Sequence, residues 1–383
     1  MDLDHVIDAD NHYYETDDCF TRHIEARFRD KAINIRRGDD GLGKIYKGDE
    51  RIAFMSVTPQ DYVLEPASFR PWLEGRMARD ELELEPIPCD PAYQDRDKRL
   101  ARMDEQNIDA MVLYPTLAVT VEHELHDDPD ASYANLRAFN RWLEDDWGYS
   151  YQDRIFAVPL LSLLDIDQAV TELDRVIEAG ARAVHLKAGP VYGRSPADAH
   201  YDPFWARCAE AGVPVAFHAG DAGYNELITT LWGEPGRPPS RKMSPFQMFL
   251  SFHRPIIDTL ACLVLQNLFG RFPDLAVMSI EQGSEWVPGL LHELDWTHGR
   301  RRELEAAPSE VFRRHVSVAP FHEENIGELV ETIGSERVLF GSDYPHPEGL
   351  APPRDFLSSL EALPADAQRR IVHDNIAGLL QLV

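Results

Sequence analysis

The chain reads as an α/β protein, specifically a (β/α)8 TIM barrel with insertions after strands 1 and 5. Eight short β-branched or apolar runs recur along its 383 residues, and amphipathic stretches of helical length separate them. That alternation implies a parallel sheet covered by helices, and eight such units close into a barrel. A doubly wound open sheet is the competing architecture, but no GxGxxG follows the first run.

The first strand is expected at His5–Asp8. Residues 16–95 then form an interval too long for an ordinary βα loop, so they are read as an insertion at the catalytic face. Turn residues within it flank Lys44–Lys47 and Arg51–Phe54, the pattern of a small hairpin. Helix Asp97–Gln106 leads to strand Ala110–Tyr114, helix Ala131–Asp145 to strand Ile155–Leu161, and helix Asp167–Ala179 to strand Ala183–Leu186. Helix Pro203–Ala211 precedes the fifth strand, Val213–Phe217. The second insertion, residues 222–257, is a Gly/Pro loop running into a Phe- and Met-rich segment, in which Phe246 and Phe249 are read as part of a lid over an apolar substrate. Strand Leu275–Ile280, helix Ser284–Arg302, strand Val316–Val318, helix Glu323–Ile333 and strand Val338–Phe340 complete the series. Residues 1–383 are therefore expected to form one metal-dependent barrel domain capped by its two insertions.

Composition narrows the function. With 66 Asp+Glu against 38 Lys+Arg the net charge is −28, which repels phosphate backbones and anionic membrane surfaces. No nucleic-acid or membrane partner is expected. Four scattered cysteines make no CxxC pair, and the start MDLDHVIDAD has neither a basic nor an apolar leader region, so a reduced, cytoplasmic protein is the expectation. No run reads as a membrane span. A homo-oligomer is the expected assembly.

Residues at the C-terminal ends of barrel strands point into the active site. Here those ends carry Asp8, Asp10, His12 and Glu15, then Lys187, His218, Glu281 and Asp343. Asp10 and His12 stand two apart on an extended segment and share a side. Buried carboxylates without counter-charges are costly, and a divalent cation is their economical common partner. His346, Glu348 and His322 lie close enough in sequence to be further ligands or hydrogen-bond partners. Tyr13 and Tyr14 are placed in the pocket wall, and His123 and His126 read as a solvated loop.

The segments DADNHYYE, AYQDRDKRLARMDEQNIDAMVLYPT, VPVAFHAGD, LFGRFPDLAVMSIEQGSEWV and RVLFGSDYPHPEG resemble the amidohydrolase superfamily, in its amidohydrolase-2-like branch related to aminocarboxymuconate-semialdehyde and resorcylate decarboxylases. The resemblance covers nearly the whole chain. It implies a metal held by Asp10, His12, His218 and Asp343, and for Lys187 either a carbamylated bridge or a nearby cation. Two departures stand out: D-x-H-x-x-E replaces the family's HxH, and Glu281 stands where His is common. Carboxylates in place of imidazoles move a site away from zinc toward iron or manganese. The resemblance to carboxylate-rich members then implies two iron ions held by Asp10, His12, Glu15, His218, Glu281 and Asp343. Such an enzyme would be a dioxygen-using monooxygenase with an electron donor and an apolar substrate, of which a coenzyme A thioester is one form. Basic residues Arg36, Arg37 and Arg300–Arg302 would serve its phosphates. The alternative is one zinc or manganese ion serving hydrolysis or non-oxidative decarboxylation, with Asp343 and Glu281 catalytic in either case.

Overall fold

The computed structural model describes residues 3, 5–39, 43–54, 62–239 and 242–382. Seven strands and one bridging segment make a closed ring. The strands are β1 (Ile7–Tyr13), β2 (Ala110–Pro115), β3 (Ile155–Ala157), β4 (Val184–His185), β5 (Val215–His218), β6 (Val277–Ile280) and β7 (Val316–Val318). All adjacent pairs are parallel: β1 with β2, β2 with β3, β4 with β5, β5 with β6 and β6 with β7. Single bridges join the remaining edges, Leu160 to His185 and Val318 to Val338. The ring closes where Ala9 N–H donates to Phe340 O and Asn11 bridges Tyr344. The third run pairs as a strand only to Ala157, because Pro159 has no N–H to donate to a continuing ladder.

β1 extends five residues beyond the expected end at Asp8, and the reason bears on the site. Between Asp8 and Asn11 its register against β2 slips by one residue, so Ile7 faces Ala110 while His12 faces Tyr114. Such a bulge re-aims the side chains beyond it. Ile7, Ala110 and Tyr114 pack in the barrel interior with Met278 and Leu339, so His12 opposite Tyr114 is turned inward as well. Tyr13, its neighbour, falls on the opposite face and packs on Trp142 and Trp147 in the strand–helix core.

The first insertion holds a three-stranded antiparallel sheet, Ile33–Arg37, Gly43–Lys47 and Glu50–Arg51, and a two-stranded ribbon, Tyr62–Leu64 with Pro86–Pro88. The expected hairpin is there with its second arm at Glu50–Arg51 in place of Arg51–Phe54, and with a third strand the turn signals did not reveal. In the second insertion, Ser244 and Gln247 form a capping box that starts helix Pro245–Ser251. One stretch, Pro245–Leu265, does have the length and composition of a membrane span, with mean hydropathy 1.4. Its helix breaks at Phe252–His253, and Ile256, Leu260 and Leu263 beyond the break belong to the barrel core.

Candidate metal centre

Donor atoms from four strand ends meet at the floor of the barrel mouth. His12 Nε2 lies 3.1 Å from His218 Nε2 and 3.4 Å from each of Asp10 Oδ1, Glu281 Oε2 and Asp343 Oδ1. His218 Nε2 in turn lies 3.1 Å from Glu281 Oε2 and 3.4 Å from Asp10 Oδ1. Two overlapping sets each have all their donor atoms within 4.8 Å of one another: Asp10, His12, His218 and Glu281, and His12, Glu281, Asp343 and His346.

Local backbone geometry produces this convergence. Glu281 and Asp343 both sit in the left-handed region, at φ 52° and 54°, where non-glycine residues are held only if their surroundings demand it. A Cβ at Gly341 would stand 2.7 Å from the Asp10 Cβ, so only glycine lets the eighth segment approach β1 there. Asp8 ties the same two segments together. Its carboxylate accepts from Ser342 N (3.0 Å), Ser342 Oγ (2.5 Å), Asn11 Nδ2 (2.9 Å) and Asp10 N (3.1 Å). Burial pushes Asp8 up to about 7 against the pull of these bonds. Beneath His12, the buried Arg99 guanidinium donates to His12 O (2.6 Å), Asn11 Oδ1 (2.5 Å) and Ala92 O (2.7 Å).

The donors suit a cation. His218 Nδ1 donates to Ala219 O at 2.8 Å, which leaves its Nε2 lone pair facing the cluster. Asp10 Oδ1 is buried without a hydrogen-bond partner while facing both imidazoles. Burial disfavours charge on His12, yet the carboxylates of Asp10 and Glu281, each 3.4 Å from Nε2, push it up to about 9. Burial likewise opposes ionisation of Asp10, and the two histidines override it and hold the carboxyl below its usual range. Both shifts report a demand for positive charge at one point, which a divalent ion satisfies. Asp343 differs: burial, then Glu281 and Glu348, push its carboxyl well above the ordinary range. Its Oδ1 lies 2.6 Å from His346 Nδ1, and His346 Nε2 lies 2.9 Å from Thr116 Oγ1.

Several expectations are corrected here. Glu15 stands outside both donor sets: its Oε1 accepts from Leu117 N at 2.8 Å and Ala118 N at 2.9 Å, so its charge is spent on the β2 loop. Burial pushes it up to about 7. Without Glu15, and with His12 Nε2 shared by both sets, a six-ligand pair of irons loses its support, since one imidazole lone pair serves one ion. Tyr13 is a core residue, as its phase on β1 requires, whereas Tyr14 lines the cavity. Phe246 and Phe249 point to solvent, and the cavity is walled by Phe252 from that insertion instead. His322 lies 3.3 Å from Glu323 and outside the donor sets. Lys187 lines the cavity and donates to Ala188 O at 3.2 Å, while burial pushes its ammonium down. Arg36 pairs with Asp49, Arg37 with Asp17, and Arg300 stacks on Trp296; none of the three lines the cavity. His123 is no loop residue: it is buried between Tyr192 OH (2.7 Å) and Glu226 (2.8 Å), with its ring stacked on that of His126.

Above the donors opens a cavity of about 790 Å³. Ile35, Val63, Leu64 and Phe69 from the first insertion and Phe252 from the second give it apolar walls, and Glu348 joins the lining. Arg237, unnoticed in the sequence, bonds Asp221 at 2.5 Å and Glu124, and stacks under Phe54 at 4.4 Å. It thereby ties both insertions to the barrel. Thr116 was equally unnoticed, although it directly follows β2, where strand-end reasoning applies.

Comparison with known proteins agrees with this architecture. Gamma-resorcylate decarboxylase of Rhodococcus jostii (strain RHA1) is 26% identical over 276 residues, 65% of this chain and 77% of that protein. An amidohydrolase of Mycobacterium avium subsp. paratuberculosis K-10 superposes with a TM-score of 0.91 at 36% identity, covering 98% of this chain and 99% of that one. A dihydroxybenzoic acid decarboxylase of Polaromonas sp. JS666, solved with bound manganese and the inhibitor 2-nitroresorcinol, matches with a TM-score of 0.62 at 17% identity over 99% of this chain and 97% of that one. At that identity the likeness shows a shared fold. The amidohydrolase family model matches residues 7–382, and because that span takes in every strand and donor described above, the chain belongs to the amidohydrolase family, in its amidohydrolase-2 branch.

Proposed function

We propose that this protein binds one divalent ion, manganese or zinc, through Asp10, His12, His218 and Glu281, and removes carbon dioxide from an aromatic hydroxy acid without an oxidant. The observation that carries the proposal is the convergence of two imidazoles and two carboxylates at the floor of an apolar-walled cavity, with Asp343 adjacent. The decarboxylase names of its relatives support the reaction class.

When bound, the ion supplies Lewis-acid polarisation of substrate oxygens. The chain's own residues do the rest. Ile35, Val63, Phe69 and Phe252 enclose an aromatic ring and exclude water. Asp343 stands beside the donor cluster as the proton carrier; burial and acidic neighbours push its carboxyl above the ordinary range, and His346 fixes it through Oδ1. Proton delivery to the ring carbon, cleavage of the bond to the carboxylate and departure of CO2 balance without electron transfer. No electron donor and no dioxygen enter this scheme.

Protein purified with its metal retained and offered a panel of hydroxybenzoates tests this reading. Release of CO2 equal to the acid consumed, at the same rate in air and under argon, is expected. Turnover that consumes dioxygen or requires a reductant overturns it.

A further inference from the structure

A row of hydrogen bonds runs from the end of the first strand to the acid beside the donor cluster. Thr116, directly after β2, donates its hydroxyl proton to Tyr13 O at 2.7 Å. The same oxygen lies 2.9 Å from His346 Nε2, and His346 Nδ1 lies 2.6 Å from Asp343 Oδ1. The imidazole is buried and has little room to turn: its ring centroid stands 4.0 Å from that of His12, with the Tyr14 ring edge-on at 6.0 Å. Thr116 and His346 both line the cavity.

The direction of each bond in this row is forced. A carbonyl oxygen only accepts, so the single hydroxyl proton of Thr116 is committed to Tyr13 O. What Thr116 offers His346 is a lone pair, and Nε2 therefore carries the proton of that bond. A neutral imidazole has one N–H; with it on Nε2, Nδ1 is an acceptor. An ionised Asp343 would then set two lone pairs against each other at 2.6 Å, so this contact forms only with a further proton between the two atoms. In the other tautomer, Nδ1–H would donate to an ionised carboxylate, and the pair would hold one proton fewer.

We infer that Thr116 is a positioning residue, which fixes His346 in its Nε2–H tautomer so that Nδ1 meets Asp343 across a shared proton. Its part in turnover rests on the proton-carrier role proposed above for Asp343. In each cycle that proton passes from Asp343 to the ring carbon, the bond from this carbon to the carboxylate breaks, its electron pair forms the new C–H bond and CO2 leaves. A proton from water restores the pair. Thr116→Val keeps the shape of the side chain and removes the lone pair that selects the tautomer, whereas Thr116→Ser keeps it.

Long-range proton–nitrogen correlation spectra of the zinc-loaded full chain, labelled with nitrogen-15 histidine, test the inference; the His346 signals are identified by their absence from His346→Gln. The native protein and Thr116→Ser are expected to show a proton-bearing Nε2 at His346, and Thr116→Val to show the proton moved to Nδ1. In hydroxybenzoate turnover, Thr116→Val is expected to lower kcat about 100-fold with KM changed less than about twofold, and Thr116→Ser to stay within about threefold of the native kcat. A proton-free Nε2 in the native protein overturns the inference, and so does a Thr116→Val protein with the native spectrum or the native kcat, or a Thr116→Ser protein that restores neither. Should Thr116→Val not fold, the native spectrum decides alone. Failure of the decarboxylation reading looks different: the native protein releases no CO2, while its spectrum still reports the tautomer.

Discussion

At the level of single residues, the alternation of a strand decides what a side chain can do. Asp10, His12, His218, Glu281 and Asp343 were legible in sequence because each follows or ends an apolar run, and strand ends in a barrel aim at one mouth. Tyr13 could have been excluded by the same rule, since a neighbour of an inward His12 faces outward. Glu15 could not, because it lies two residues beyond β1, where backbone direction is set by the loop and by the amides of Leu117 and Ala118. A residue far from the site shows burial acting on stability. His315 is buried, stacks on Phe269 at 4.5 Å, and its Nδ1 donates to Leu275 O at 2.9 Å. Burial holds its pKa below the ordinary value, so it stays neutral in the folded chain and is protonated first in the unfolded one. Its contribution is fully present above about pH 6.5, the unfolded value, and is lost as pH falls below that. His315→Asn, which keeps a donor toward Leu275, should therefore lower the unfolding temperature less at pH 5.5 than at pH 8. A gap between the two proteins that widens on acidification would contradict this.

At the level of elements, periodicity located the pieces and left their orientation open. The Phe- and Met-rich helix was visible, but a row of apolar residues three or four apart does not say whether its face meets a cavity or the solvent. The strand bulge in β1 was likewise hidden, because it arises from pairing with β2. Long-range ion pairs such as Arg237 with Asp221 and Glu124 leave no local signature. Truncating one partner of a buried pair costs about 3 kcal/mol. Arg237→Ala should therefore free the second insertion, and amide exchange in residues 224–232 should quicken by about a hundredfold while the β5 and β6 amides keep their protection. Exchange that quickens equally in those strands would show that Arg237 supports the whole barrel, and unchanged exchange would show that it holds nothing.

For the whole molecule, the strong negative charge divides into two populations. Most of the 66 carboxylates solvate the surface, whereas Asp10, Glu281 and Asp343 are gathered around two imidazoles, and among the described residues no lysine or arginine pairs with them. The barrel, its insertions and five of the six donors in the two sets followed from strand ends. His346 was only a candidate, and the number of ions depended on distances between residues more than 200 positions apart. A one-ion site in which Glu15 takes no part fixes the metal content per chain. Elemental analysis of the native protein and of Glu15→Gln should give one divalent ion per chain, and Glu281→Ala should lose most of it. Two ions per native chain, or loss of an ion from Glu15→Gln, would contradict the one-ion site.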